Sequence, residues 1–204
     1  MSTKTNNFIK NLLPQKKRSP DNKVHIDDPL AISNLNKLIL QQIKNIKPII
    51  NNLLVICIGT DRSTGDALGP LVGSKLEKFN LDKKIKVYGT LEQPIHATNL
   101  DQKLKKIKQN FDDPLILAID AGLGKSKSVG NINVNPGPLQ PGSGVNKKLP
   151  PIGDLHITGL VNVGGYMEYF VLQSTRLSVV IKMSKIITYA LVNCFRQLTN
   201  NKRL

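Results

Sequence analysis

The sequence predicts an α/β protein: a three-layer, mostly parallel sheet with helices on both faces. Three observations carry that expectation. Two continuous apolar runs, residues 53–58 and 115–119, have the length and β-branched content of strands buried on both faces. Around them, apolar residues recur at three- and four-residue steps, the period of an amphipathic helix. Neither an internal repeat nor a linker divides the alternation, so βαβ units in a single domain over residues 31–204 are expected.

Residues 1–30 mix Lys, Asn, Pro and Asp without a sustained period and read as a flexible basic arm. Asp27 and Asp28 then precede a helical stripe of Ile32, Leu35, Ile39, Ile43 and Ile46, which Pro48 ends. The run 53–58, bounded by Gly59, is a buried strand. A polar loop over 60–65 leads into a helix over 66–79, followed by a strand over 85–91. Leu100, Leu104, Ile107 and Phe111 outline the next helix, and the strand 115–119 ends at Asp120. Residues 121–153 are rich in Gly, Pro and Lys, with a strand at 129–134. A last core strand covers 156–163. A long helix follows, with Leu177, Val180, Ile181, Ile187, Leu191, Cys194 and Leu198 on one stripe.

Composition narrows the classes of function. The chain has 204 residues, 29 Lys and Arg against 14 Asp and Glu, and a formal charge of +15. Residues 1–50 hold nine of these cations and three of the acids, and the rest of the excess is spread along the chain. With aromatics at 4% and no Trp, basic positions are not interleaved with stacking rings, and no helix-turn-helix, RRM or zinc-finger pattern occurs. A solvated Lys-rich surface is therefore the preferred reading over nucleic-acid binding, with attraction to acidic partners left open. The apolar run 53–58 is far shorter than the roughly 20 residues that cross a bilayer, and the first ten residues lack the apolar block of a secretory signal. Two cysteines form neither a disulfide framework nor a metal-ligand pair.

Sites in open parallel sheets gather beyond the carboxyl ends of the strands. Two acids stand there: Asp120 after residues 115–119, and Asp66 beyond 53–58, across the loop Gly59-Thr-Asp-Arg-Ser-Thr-Gly65. If those strands are neighbours, both carboxyls face one crevice, one keeps its proton, and the pair can divide acid and base roles. Taken singly, each acid is better explained structurally, Asp66 as a first-turn helix acid and Asp120 as a strand-end residue. The glycines do not make a nucleotide site. Gly124-Lys125-Ser126 ends like a P-loop, but the position that needs the first Gly is Ile119, and Asp66 would repel phosphate. His96 and His156 are candidate metal ligands with Asp66 and Asp120, although loop-orienting hydrogen bonds explain them better. Cys57 and Cys194 read as buried hydrophobes, and Ser63 and Ser143 lack an obvious base.

The motif Cys57-Ile-Gly-Thr-Asp-Arg-Ser-Thr-Gly-Asp-Ala-Leu-Gly-Pro-Leu-Val-Gly73 closely resembles the opening motif of the YyaC spore protease family. Supporting matches are Leu91-Glu-Gln-Pro-Ile-His96, Ala118-Ile-Asp-Ala-Gly-Leu-Gly124, Pro141-Gly-Ser-Gly-Val-Asn146, Gly153-Asp-Leu-His-Ile-Thr158 and Gly165 to Leu177. That family is similar to the germination protease that degrades small acid-soluble spore proteins and, more distantly, to hydrogenase maturation endopeptidases. The resemblance implies a hydrolase-like three-layer fold and a peptidase of sporulation or germination. It places the catalytic pair at Asp66, in Asp66-Ala-Leu-Gly-Pro70, and at Asp120, in Ile119-Asp-Ala121. It implies Gly59, Asp61, Gly65, Gly122, His96 and His156 as substrate-binding or loop positions. It also implies a protein substrate, a cytoplasmic or spore-core location, no membrane and no obligatory cofactor, and is compatible with a homo-oligomer. The alternatives it leaves are a metal-dependent endopeptidase using Asp66, Asp120 and His96 or His156, and a non-catalytic protein that binds an acidic partner or DNA.

Overall fold

The computed structural model describes residues 22–141 and 149–204. Six strands form one mixed sheet in the order β1-β5-β6-β4-β2-β3: β1 Lys23–His25, β2 Leu53–Cys57, β3 Ile85–Tyr88, β4 Leu115–Gly124, β5 Asn131–Pro136 and β6 Leu155–Val163. The four strands β3, β2, β4 and β6 run parallel, whereas β5 and β1 add an antiparallel edge. Five helices cover the sheet: α1 Ala31–Ile46, α2 Leu68–Leu76, α3 Leu100–Lys108, α4 Glu168–Gln173 and α5 Leu177–Asn200. The expected three-layer α/β architecture is what forms.

Alternation along the central strands sorts the core. Leu53, Val55 and Cys57 of β2, with Leu115, Leu117 and Ile119 of β4, face α1, α2 and α5. Leu54, Ile56, Ile116 and Ala118 face α3 through Leu100, Leu104 and Ile107. This is why the strand runs lack a polar face: both sides are dry. Cys57 and Cys194 are buried within the larger cluster as expected. Among the described residues α5 alone is long and apolar enough to cross a membrane, yet Val180, Met183, Ile187, Leu191, Cys194, Phe195 and Leu198 are buried within this core. Phe195 is one of the largest fully buried side chains. Truncating it should cost about 3–5 kcal/mol, read as a lower midpoint in urea unfolding at unchanged slope.

Several boundaries differ from expectation for identifiable reasons. Part of the presumed arm is edge strand β1, because Val24 buries its side chain while its backbone pairs with Ile132. Residues 1–21, and most of the 141–146 motif with Ser143, lie outside the described residues. The helix expected from Asp66 begins at Leu68, since Gly65–Ala67 forms a 3₁₀ turn first. Asp120 does not end β4. The strand continues to Gly124 because residues 121–124 keep pairing with β6, with an irregularity between Gly122 and Leu123. Leu177 opens α5 but is exposed, so the buried stripe starts at Val180.

Candidate active site at the sheet switch point

The connections from β2 and β3 leave the sheet on opposite faces. The β2-to-β3 crossover carries α2, packed in the larger cluster, and the β3-to-β4 crossover carries α3, packed in the smaller one. Because β2 pairs with β3 on one side and β4 on the other, the chain reverses direction between β2 and β4. Such a reversal opens a crevice at the carboxyl ends of those two strands. Asp66 is delivered there by the loop after β2, and Asp120 lies one residue beyond Ile119, which is level with Cys57.

The loop that carries Asp66 is pinned at several points. Gly59 adopts φ +141° and donates its N–H to Ile95 O at 2.8 Å; a Cβ there would meet Asp66 O at 1.9 Å. Thr60 N–H closes the loop by donating to Asp66 O at 3.1 Å. Gly65 lies under Leu172 of α4, where a Cβ would sit 2.7 Å from the Leu172 side chain. Asp61 and Arg62 point to solvent, whereas Ser63 is buried. Gly122 faces Thr158 and Leu160 across the β4–β6 pair.

The 3₁₀ turn rests on β4, near enough for the charge of Asp66 to act on the Asp120 carboxyl. Burial pushes Asp120 up, the Ala121 N–H at 2.8 Å opposes this, and the charge of Asp66 raises it further, to about 8. Burial also raises Asp66, partly opposed by the Ser63 hydroxyl. That hydroxyl lies close enough to influence Asp66, yet it meets no partner in ordinary hydrogen-bond geometry among the described residues. Near neutrality one carboxyl of the pair therefore holds a proton, and Asp120 is the better seat for it.

This has a consequence for stability. The folded chain keeps a proton on Asp120 that an unfolded chain releases above about pH 4. The contribution is complete at low pH and fades as pH rises toward 8. Thermal midpoints of the wild type should fall from pH 5 to pH 9 relative to those of Asp120→Asn, and a constant difference across that range would contradict the buried proton.

The histidines are held elsewhere. Asn99 Nδ2 donates to Pro94 O at 3.0 Å and faces His96 Nε2 at 3.3 Å, while Asn99 Oδ1 accepts the His96 N–H. That fixes the amide, so Nε2 accepts and Nδ1 carries the proton toward Thr98 Oγ1 at 2.9 Å. His156 shares the sheet face of Asp120 but pairs with Ala118, two residues back, and its Nδ1 meets Gly137 O at 2.9 Å. Among the described residues no three His, Cys, Asp or Glu side chains converge as a metal shell. Asp66 and Asp120 come together; His96 and His156 do not join them, so the set does not fit the metal-dependent alternative.

Residues 23–190 match the family described as protein of unknown function (DUF1256). The chain belongs to that family. One relative, the "Uncharacterized protein YyaC" of Bacillus subtilis (strain 168), is 53% identical over 145 residues, which is 71% of this chain and 68% of that protein. Its name states no activity. Among solved structures, the [NiFe] hydrogenase maturation protease HycI from Thermococcus kodakarensis KOD1 superposes with a TM-score of 0.52 at 13% identity, covering 78% of this chain and 99% of that one. Likeness at that identity shows a shared fold: this chain and that protease have the same α/β scaffold.

Two participants escaped the reading of the sequence. Ser63 offered no base in sequence, and its place beside Asp66 follows from the folded loop. Leu172 comes from the far end of the chain, and nothing in its local pattern marks it as the lid over Gly65. Around it, Tyr166 and Met167, just before α4, and Tyr169 and Phe170 within it are exposed.

Proposed function

We propose that this chain is a peptidase that hydrolyses peptide bonds of a protein substrate with Asp66 and Asp120 sharing one proton. The observation that carries the reading is the delivery of Asp66 and Asp120 to the carboxyl ends of the neighbouring strands β2 and β4, near enough for the charge of Asp66 to act on Asp120. Asp120, protonated near pH 7, donates to the scissile carbonyl oxygen. The Asp66 carboxylate takes a proton from water, whose oxygen bonds to the carbonyl carbon. The proton on Asp66 then passes to the amide nitrogen as the C–N bond breaks, and a hydroxyl of the tetrahedral intermediate returns its proton to Asp120, leaving one carboxylic acid and one amine and restoring the shared proton. Gly59 takes no part as a donor, since its N–H is already given to Ile95. The fold shared with a maturation protease supports peptidase chemistry. The motif resemblance to spore proteases supports a small acid-soluble spore protein as substrate and the forespore or spore cytoplasm as the compartment.

Purified full-length chain mixed with small acid-soluble spore proteins should generate new termini detectable by mass spectrometry. The rate should decline above about pH 8 as Asp120 loses its proton. His96→Ala should cleave at nearly the wild-type rate, and chelator should leave cleavage unchanged. Absence of fragments at every pH between 5 and 9 would sink the proposal; loss with chelator and recovery with Ni or Zn would transfer it to the metal-dependent alternative.

A further inference from the structure

Three helices packed on one face of the sheet carry cations and no anions, whereas α4, which reaches the same cluster through Leu172, begins with Glu168. α1, α2 and α5 hold Lys37, Lys44, Lys75, Lys182, Lys185 and Arg196, and not one Asp or Glu. α5 lies between the other two, packed against both. Five of the six cations are exposed, and Lys75 is half-buried. The acids closest in sequence, Asp27, Asp28, Asp66, Glu77 and Asp82, stand at helix ends, in the 3₁₀ turn before α2 or in loops. Asp27 is taken by Lys182, and Asp28 caps the start of α1 through Leu30 N–H and Asn34. The cations are close enough to repel: Lys75 is held below the ordinary lysine range by burial and by the charges of Lys185 and Lys78.

Exposed helix faces ordinarily interleave signs, because opposite charges a turn apart stabilise each other and like charges cost stability. Here, of the six, only Lys182 has an acid partner among the described residues, and Lys75 feels the charges of Lys185 and Lys78. Between α1 and α5 runs an open groove of about 460 Å³, where Ser33, Asn36, Asn193 and Gln197 stand beside Arg196, with Pro29, Leu30 and Ile32 on its apolar side. Cations mixed with amides and hydroxyls are the donor set that phosphate oxygens take. α5, at 24 residues, is about 36 Å long, close to the roughly 34 Å of one duplex turn. Single strands would need stacking rings; the exposed ring on α5 is Tyr189, already edge-on to Phe79.

We propose that the α1–α5–α2 face docks double-stranded DNA by its phosphate backbone, without reading sequence. Read along the chain, the +15 charge is diffuse; folding gathers part of it onto three adjacent helices that carry no acid of their own. The opposite face differs. α3 carries Lys103, Lys105, Lys106 and Lys108, but Asp101 stands among them and pairs with Lys105 at 2.8 Å. Docking on the helical layer is independent of the peptidase proposal, because neither Asp66 nor Asp120 belongs to it.

The test uses the full chain and fluorescein-labelled duplexes of two unrelated sequences, followed by anisotropy from 50 to 200 mM NaCl. Four to six phosphate contacts predict a loss of about 10²–10³-fold in affinity over that range, linear on logarithmic axes, with both sequences bound alike. The double variant Lys185→Glu, Arg196→Glu should bind at least about tenfold more weakly at 50 mM and flatten the salt slope by about two. Lys37→Gln with Lys44→Gln should weaken binding in the same direction, and unchanged thermal midpoints would show that all these chains fold. Lys103→Glu with Lys106→Glu should bind like the wild type. No complex at 50 mM overturns the proposal, as does binding that is lost on reversing α3 but kept on reversing α5. Competition by poly-glutamate as effective as by unlabelled duplex at equal charge would also overturn it, making the face a site for acidic proteins.

Discussion

Asp120→Asn is expected to lower the rate of peptide-bond cleavage by about 10³-fold or more while leaving the chain folded. General acid–base groups typically contribute 10²–10⁴-fold, and this substitution removes the only proton the pair can lend at neutral pH. The asparagine amide can still donate a hydrogen bond to a carbonyl, so substrate affinity should change less than turnover. Asp66→Asn should cause a loss of similar size for a different reason: the water loses its base. The double variant should be no slower than the slower single variant, because groups that act as one unit do not add. Single-turnover measurements with the spore-protein substrate give each rate. Retention of cleavage within about threefold in either single variant would remove that carboxyl from the chemistry.

The second large effect concerns glycines that hold the scaffold. On α2, Gly69 and Gly73 lie one turn apart and face the carboxyl ends of β2 and β3. A Cβ on Gly69 would sit 2.1 Å from Ile58 O, and one on Gly73 would sit 2.2 Å from Gly89 O. Gly89 itself has φ +89°, and its Cβ would lie 1.8 Å from Cys57 O. All of these obstacles are backbone atoms, which cannot turn aside as a side chain can. Gly69→Ala or Gly89→Ala should therefore cost more than about 4 kcal/mol or prevent folding. Gly137→Ala is the control: φ is +85°, with nothing within 4 Å of the added carbon, so only the backbone strain of about 1–3 kcal/mol remains. Thermal melts of the three variants separate collision from strain. A melt of Gly69→Ala equal to that of Gly137→Ala would show that α2 can shift away.

The two acids were legible because strand-end Asp residues beside glycine loops are unusual in sequence. That they meet was not, since it depends on β2 and β4 being neighbours, and strand order leaves no local mark. Buried strands were equally clear, because runs such as residues 53–58 contain no polar face to confuse the period. Boundaries were read less well wherever tertiary pairing outweighs composition. Ala121-Gly122 looks like a stop, yet β6 supplies a partner that continues β4. Lys23–His25 is too short and too polar to announce itself, and becomes a strand because Val24 meets the core. Leu177 fits the apolar stripe by number, but the stripe turns away from it at the first turn of α5.

The loop 59–66 also bears on how the molecule opens and closes over time. Gly, Thr and Ser in such numbers usually mark a segment that fluctuates on its own. Here its amides at Gly59 and Thr60 are tied to Ile95 and Asp66, Gly59 is wedged against the Asp66 backbone and Gly65 against Leu172. Gly59 also packs against Pro70 of α2, so the loop is expected to open with that helix and the interior strands rather than alone. In hydrogen–deuterium exchange, Gly59 and Thr60 should persist as long as the amides of β2, a solvent-edge loop with the lifetime of the molecule's centre.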